Sequence, residues 1–352
     1  INENITPLNF CSDLAVDTEH GESRSTNGTH KMTFEKFRLS TAEHTLTFEQ
    51  FSVLPQIDEK AFFSRQTVRV NYLSFRSPDI RLKGFDMEKL LDSGYLLADS
   101  LQMEKPTLKA IVNHYLPLPY RKILPHELVQ KARFLFDIKN VMIKDWDISV
   151  TARLPGEDYL LDFNHTYVNA DNLSNDSTLM DLKHPFQIWA EGDFMNRSPI
   201  KLQLNLFLLT PGFNGNYTAT VRNVRLSILN PVISNKNISI ASGFMNLAEI
   251  SANIQNGVAK GTVKMQYKDL EVNLLRKNSR KPRKILSDLA DILIKDNNVR
   301  DNDPDTPFVI GEIDHTRDRQ EGFLLFLWRS IQDGMLPSIA PVAKNFKQPG
   351  PK

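Results

Sequence analysis

Apolar and polar side chains alternate along residues 200–276, and short Asn, Gly and Pro turns separate the runs. In Lys201-Leu202-Gln203-Leu204-Asn205-Leu206 every leucine falls on one side of an extended chain, because successive side chains of a β-strand point to opposite faces. The alternation returns at Asn237-Ile238-Ser239-Ile240, at Thr262-Val263-Lys264-Met265-Gln266-Tyr267, and at Asp269 to Leu275, where Leu270, Val272 and Leu274 share a face. A sheet of this kind has an apolar side that must be covered by another layer of protein or by something that is not protein.

Upstream, the pattern predicts short strands at Lys31 to Ser40, Thr45 to Leu54, Thr67 to Phe75 and Asp79 to Lys83. Their spacing of about ten residues suggests consecutive antiparallel pairing. At Phe34-Glu35-Lys36-Phe37 the alternation slips by one residue, which points to a bulge or short turn. A helical turn or two is expected at Phe85 to Leu91, with further strands at Tyr95 to Leu101 and Thr107 to Val112. Pro117, Pro119 and Pro125 make residues 114–128 a connector, since proline cannot donate a ladder hydrogen bond. Strands resume at Ala132 to Ile138, Val141 to Leu154 and Phe186 to Phe194, with an exposed Asn/Asp/Ser-rich loop predicted at Asn169 to Ser177.

The period changes near Arg276. Ile285, Leu289, Ile292 and Leu293 give a helical stripe over Lys284 to Lys295, a short strand is expected at Phe308 to Ile313, and a second helix at Gly322 to Asp333. The expected division is therefore an antiparallel β-sheet over 1–280 and, over 281–352, amphipathic helices with one short strand and a frayed tail.

Composition narrows the chemistry. The chain has 352 residues with 43 Lys plus Arg against 42 Asp plus Glu, so no whole-chain charge attracts nucleic acid or acidic substrates. One cysteine, Cys11, excludes internal disulfides and multi-cysteine metal sites. Eight Asn-X-Ser/Thr triplets, from Asn4 to Asn237, are acceptors for glycans only in a secreted eukaryotic context. No nucleophile elbow, phosphate-binding glycine loop, dinucleotide fingerprint or His-Glu-X-X-His pair occurs, which disfavours a familiar enzyme mechanism. Ser198-Pro199-Ile200-Lys201 matches a Ser-X-X-Lys spacing, but Pro199 forbids the helix that this chemistry needs. Asp301, Asp303, Asp305 and Glu312 fall at calcium-loop positions, yet Thr306 stands where the turn requires glycine, so a solvated acidic loop is the reading. The eight histidines have no ligand spacing. The cations Arg276, Lys277, Arg280, Lys281, Arg283 and Lys284, next to an amphipathic helix, are candidates for an anionic membrane surface, with a solvated turn as the plain alternative.

Several segments carry a family resemblance: Arg197-Ser198-Pro199, Leu229-Asn230-Pro231, Ala241-Ser242-Gly243-Phe244, Asn256 to Val263, and the ending Phe326-Leu327-Trp328-Arg329-Ser330-Ile331-Gln332-Asp333-Gly334. Together with Ile138 to Ile143 they make the C-terminal two-thirds of the chain resemble the AsmA-like family of bacterial envelope proteins (AsmA, TamB and YhdP type), with an ending like that of Bacteroidetes members. The first hundred residues resemble it only in style. The resemblance implies an elongated, curled antiparallel sheet whose inner face is a hydrophobic groove, standing in the periplasm between two membranes and conducting phospholipid in support of outer-membrane assembly. It also implies a membrane anchor, here expected in a segment outside this chain.

The expected function is therefore non-enzymatic: binding or conduction of phospholipid or another acyl-chain lipid, with no cofactor, no metal and no nucleic acid, and with inner- or outer-membrane proteins as possible partners. Leu202, Leu204, Leu206, Ile238, Ile240, Val263, Met265 and Tyr267 are the groove-lining candidates. The alternative is a compact β-sandwich serving as a structural or partner-binding module of the envelope, in which the same residues form an ordinary core. A glycan hydrolase with paired carboxylates is the third and least favoured reading.

Overall fold

The structure, a computed structural model, describes residues 11–26, 28–154, 158–179, 184–233, 238–274 and 308–339. Strands make up 59% of these residues, so the protein is mainly β as the alternation predicts, with mixed but largely antiparallel pairing and a C-terminal helix. Two compact units are present: residues 1–196 with 203–213, and residues 197–202 with 214–352. The boundary falls within one strand, and the C-terminal helix groups with the strands that precede it.

The first unit holds β1 (Ala15–Arg24), β2 (His30–Ser40), β3 (Thr45–Pro55), β4 (Asn71–Lys83), β5 (Leu96–Glu104), β6 (Thr107–Asn113), β7 (Phe136–Arg153), β8 (Asp158–Ser174) and β9 (Phe186–Phe194). Neighbours follow the order β1-β2-β3-β4-β5-β7-β8-β9, and β6 lies in line with β5 between β4 and β7. Between β3 and β4 sits helix α1 (Glu59–Ser64), started by the Asp58 carboxylate, which accepts a 2.8 Å bond from the Ala61 N–H. Helix α2 (Met87–Ser93) begins in the same way at Asp86 and ends on Gly94 at φ 66°, a left-handed C-cap. Met87 and Leu90 of α2, with Phe85, pack on Leu39, Leu82, Ala98 and Val141 to form this unit's core.

The meander is broken once. Strands β5 and β6 pair antiparallel with β4 but parallel with β7. A parallel neighbour needs a crossover, and the proline-rich segment 114–128 is part of it, carrying helix α3 (Pro125–Gln130) on the way back to the start of β7. The limits of two strands differ from the sequence pattern. Asn169 to Ser174, predicted as loop, belong to β8, because Asn140 on β7 donates to the side chains of Asn169 (2.9 Å) and Asp171 (2.7 Å) and so satisfies their polarity within the sheet. Strand β7 starts at Phe136, and Ala132 to Leu135 precede it as coil.

In the second unit, β11 (Gly215–Arg225), β12 (Ile238–Gln255), β13 (Val258–Leu274) and β14 (Val309–Thr316) pair antiparallel in chain order. The dividing strand is β10 (Ser198–Leu206). A helical turn and α4 (Asn230–Ile233) lead into β12, which Asn230 anchors by exchanging two hydrogen bonds with the Ile240 backbone. Strands β12 and β13 meet at Asn256-Gly257, both with positive φ (49° and 78°), the geometry of a two-residue hairpin turn. Helix α5 (Phe323–Ile339) packs against β13 and β14. It is longer than predicted, and it contains Pro337. The predicted helix at 284–295 and the frayed tail lie outside the described residues.

Candidate functional site

Register pairs in the first unit trace rows of apolar side chains straight across the sheet. One row runs Leu39–Leu46–Leu82–Leu101–Val141–Ala170–Ile188, from β2 to β9. A second, two residues further along the strands, runs Phe37–Phe48–Ile80–Met103–Ile143–Val168–Ala190. A third, Met32–Val53–Phe75–Leu108–Ile148–Phe163–Phe194, passes through β6. Residues paired across neighbouring strands share a face. The second and third rows lie on the same face, because Phe34, Phe37, Phe48, Phe51 and Phe75 form one chain of ring contacts with centroids 5.0–6.3 Å apart.

Strict alternation alone would place these two rows on opposite faces, since odd-numbered residues give way to even ones within single strands. Local left-handed residues correct the phase: Lys36 in β2 (φ 52°), Gln50 in β3 (50°), Asp145 in β7 (54°) and His165 in β8 (49°) sit between the two rows. Each inserts an extra residue or a local twist, as a β-bulge does, and register shifts flank Lys36, Asp145 and His165. The bulges carry polar partners on the outside: Lys36 pairs with Glu49 at 3.3 Å and His165 Nδ1 with Asp145 at 2.8 Å. The His165 ring is held above the usual imidazole range by its hydrogen bond to Asp145.

Burial falls along this face. In the first row Leu39, Leu82, Val141 and Ala170 are buried beneath the Phe85 and α2 side chains, whereas in the second and third rows every residue except Ile143 is only half-buried. A row of half-covered phenylalanines and aliphatics several strands wide is an apolar surface of the sort that marks a binding site in a protein.

The sequence-predicted candidates lie elsewhere. Leu204 and Leu206 in β10 are 2% exposed, Ile240, Val263 and Met265 are 1% exposed, and Tyr267 is fully buried, while Leu202 is half-buried. Ile238 begins β12. For Val263 and Tyr267 the cover is α5: the Tyr267 hydroxyl donates to the Ser338 carbonyl at 3.1 Å, and a Cβ on Gly334 would meet Val263 Cγ2 at 2.7 Å. The neighbouring Tyr217 hydroxyl meets Ser330 Oγ at 2.6 Å. Burial pushes the Tyr267 hydroxyl up to about 12. The expectation that these positions line an open groove is thus corrected for the six that are buried: polypeptide closes over them and they are core. The six cations from Arg276 to Lys284 lie outside the described residues.

What the sequence reading missed is the phenylalanine track of β2 to β4. Its signal was the one-residue slip at Phe34 to Phe37, now seen as the Lys36 bulge that keeps Phe34 beside Phe37. A second missed group is the ring of charge at His315. Its Nδ1 is 2.9 Å from Asp333, its Nε2 3.0 Å from buried Glu321, and Glu321 also takes Arg329 Nη1 at 2.5 Å. No nucleophile belongs to this group, which ties α5 to the end of β14. Among the described residues no three His, Cys, Asp or Glu side chains are placed to hold a metal, and no helix is long and apolar enough to cross a membrane. Comparison with protein-family models and with curated proteins gives no match.

Proposed function

We propose that this chain is a lipid-binding protein of the bacterial cell envelope, of the AsmA-like kind its ending and strand-turn motifs resemble, and that acyl chains lie on the half-covered apolar rows of the first unit. The observation that supports the reading is the continuity of those rows across seven strands, from Met32 and Phe37 on β2 to Ala190 and Phe194 on β9. Acyl-chain burial stabilises by about 25 cal/mol per Å² of apolar surface, or roughly 0.8 kcal/mol per CH₂. A track several strands wide therefore holds a chain by contact area alone. No acid, base or nucleophile is required, and the protein works as a carrier or conduit between membranes.

In the second unit α5 takes the place that a lipid would occupy, so the reading confines lipid to the first. The test is mass spectrometry of lipid extracted from the full chain after purification from a bacterial host. Phospholipid is expected in the unaltered protein and depleted in Phe48→Asp with Ile80→Asp, two cross-strand partners in the middle of the second row. An unaltered protein that purifies free of lipid, and takes none up from vesicles, ends the proposal.

A further inference from the structure

The crossover from β6 to β7 gathers exposed apolar side chains. Among the described residues twelve large apolar side chains are exposed, and six of them, Tyr115, Tyr120, Ile123, Leu128, Phe134 and Leu135, fall within residues 115–135 at 47–79% exposure. Single apolar residues scattered over a surface need no explanation, but half of them concentrated in one connector mark an interaction surface.

The connector is tied to the protein along one side. Arg69 Nη2 donates to the carbonyls of His114 and Leu116 at 3.2 Å each, and the Arg69 carbonyl accepts from Lys122 Nζ at 3.5 Å. Gln130 Nε2 donates to the Leu208 carbonyl at 2.8 Å. Between these ties Leu124 is 2% exposed, and His126 stacks on Phe213 with ring centroids 5.6 Å apart. In α3 Leu128 lies two residues past His126, about 200° around the helix, so it points away from the protein. Pro117, Pro119 and Pro125 fix the backbone, which sets the connector's shape before anything docks on it.

The same segment carries Arg121, Lys122, Lys131 and Arg133 against a single carboxylate, Glu127. Glu127 is bound by Arg121 and by the Leu124 N–H at 2.9 Å. At the adjoining end of β7, Glu59 and Asp158 both bind Arg153. Cations interleaved with tyrosines and aliphatics suit the surface of an anionic bilayer: aliphatic side chains enter the headgroup boundary, tyrosines sit at its level, and lysine and arginine meet the phosphates.

We propose that the β6–β7 connector docks on an anionic phospholipid bilayer, with Tyr120, Ile123 and Leu128 entering the headgroup region and Lys131 and Arg133 against lipid phosphates. What docking serves rests on the lipid reading, since it brings the apolar rows to a membrane that supplies or receives lipid; the surface itself stands on the connector's own exposure and charge.

Flotation of the full chain with vesicles tests it, using phosphatidylcholine alone and phosphatidylcholine mixed with phosphatidylglycerol. The unaltered protein is expected to float with the mixed vesicles and weakly or not at all with the neutral ones. Each basic residue at such a surface is worth about fivefold, so Lys131→Gln with Arg133→Gln is expected to weaken binding about 25-fold. Tyr120→Ser with Leu128→Ser is expected to weaken it about tenfold or more. All four positions are exposed, and circular dichroism checks the fold. Raising salt on the unaltered protein is expected to release it from the mixed vesicles. Both variants are expected to keep whatever lipid co-purifies with the unaltered chain, so loss of docking is told apart from failure of the lipid reading. Equal binding to neutral and mixed vesicles, undiminished binding in either variant, or no vesicle binding overturns the inference. A dimer in sedimentation that Tyr120→Ser with Leu128→Ser dissociates, with no vesicle binding, also overturns it and assigns the surface to contact between copies.

Discussion

His315 Nε2 lies 3.0 Å from Glu321 Oε2, and that carboxylate is almost wholly buried beneath α5. Burial on its own pushes the imidazole down, but hydrogen bonds to Asp333 and Glu321 and their charges raise it to about 9. The folded value is thus above the unfolded one of about 6.5. Stability from this ring is fully present below pH 6.5 and is lost as pH rises through about 9. The expected contribution is on the order of 2 kcal/mol. Urea unfolding of the unaltered protein between neutral and alkaline pH should fall more steeply than that of His315→Gln; parallel curves would refute the latch.

Gly311 of β14 touches the α5 backbone. A Cβ there would sit 1.7 Å from the Gly334 carbonyl oxygen and 2.4 Å from Ser338 Oγ. Gly311→Ala should therefore lift the helix from the sheet and cost about 1–3 kcal/mol, the range for overpacking a core. The unfolding midpoint in urea reads this directly. Gly257→Ala, at a hairpin turn with its nearest neighbour at 3.5 Å, should cost only the strain of its positive φ.

Leu204 and Phe48 should part company when each becomes aspartate. Leu204 is closed over by protein at 2% exposure, and a carboxylate there should cost about 4 kcal/mol or more and prevent folding. Phe48 is half-buried, so the same change should cost about 1–2 kcal/mol while lowering retained lipid. Soluble yield and thermal midpoint distinguish the two; a folded Leu204→Asp protein would contradict its place in the core.

Lys36 stands at φ 52° in the middle of β2. A β-branched residue is poorly tolerated there, so Lys36→Val should cost about 1–2 kcal/mol, whereas Lys36→Gly should be near neutral because relief of strain offsets the gain in unfolded-state entropy. The exposed pair with Glu49 adds little in either case. Equal stabilities for the two variants would show that the bulge is absent in solution.

Much of the architecture could be read from the chain, because a strand's period of two is written in consecutive residues. Strand β9 appears at its predicted limits, Phe186 to Phe194, and the strand segments at 201–206 and 262–267 fall where apolar residues alternate with polar ones. The slip at Phe34 to Phe37 announced the Lys36 bulge for the same reason. Asn169 to Ser174 were misread since Asn169 and Asp171 take their side-chain hydrogen bonds from Asn140, a partner about thirty residues away whose pairing no local pattern records.

Periodicity tells which side chains share a face, and so the sequence by itself determined that Val263, Met265 and Tyr267 point together. It does not tell what covers a face. That α5 seals Val263 and Tyr267 while the row through Phe37, Phe48 and Ile80 stays half open was decided by tertiary packing, through backbone contact at Gly311 and Gly334 and hydrogen bonds that join Tyr217 and Tyr267 to residues more than seventy positions on. Burial is a property of two surfaces meeting, and a single strand's residues encode only one of them.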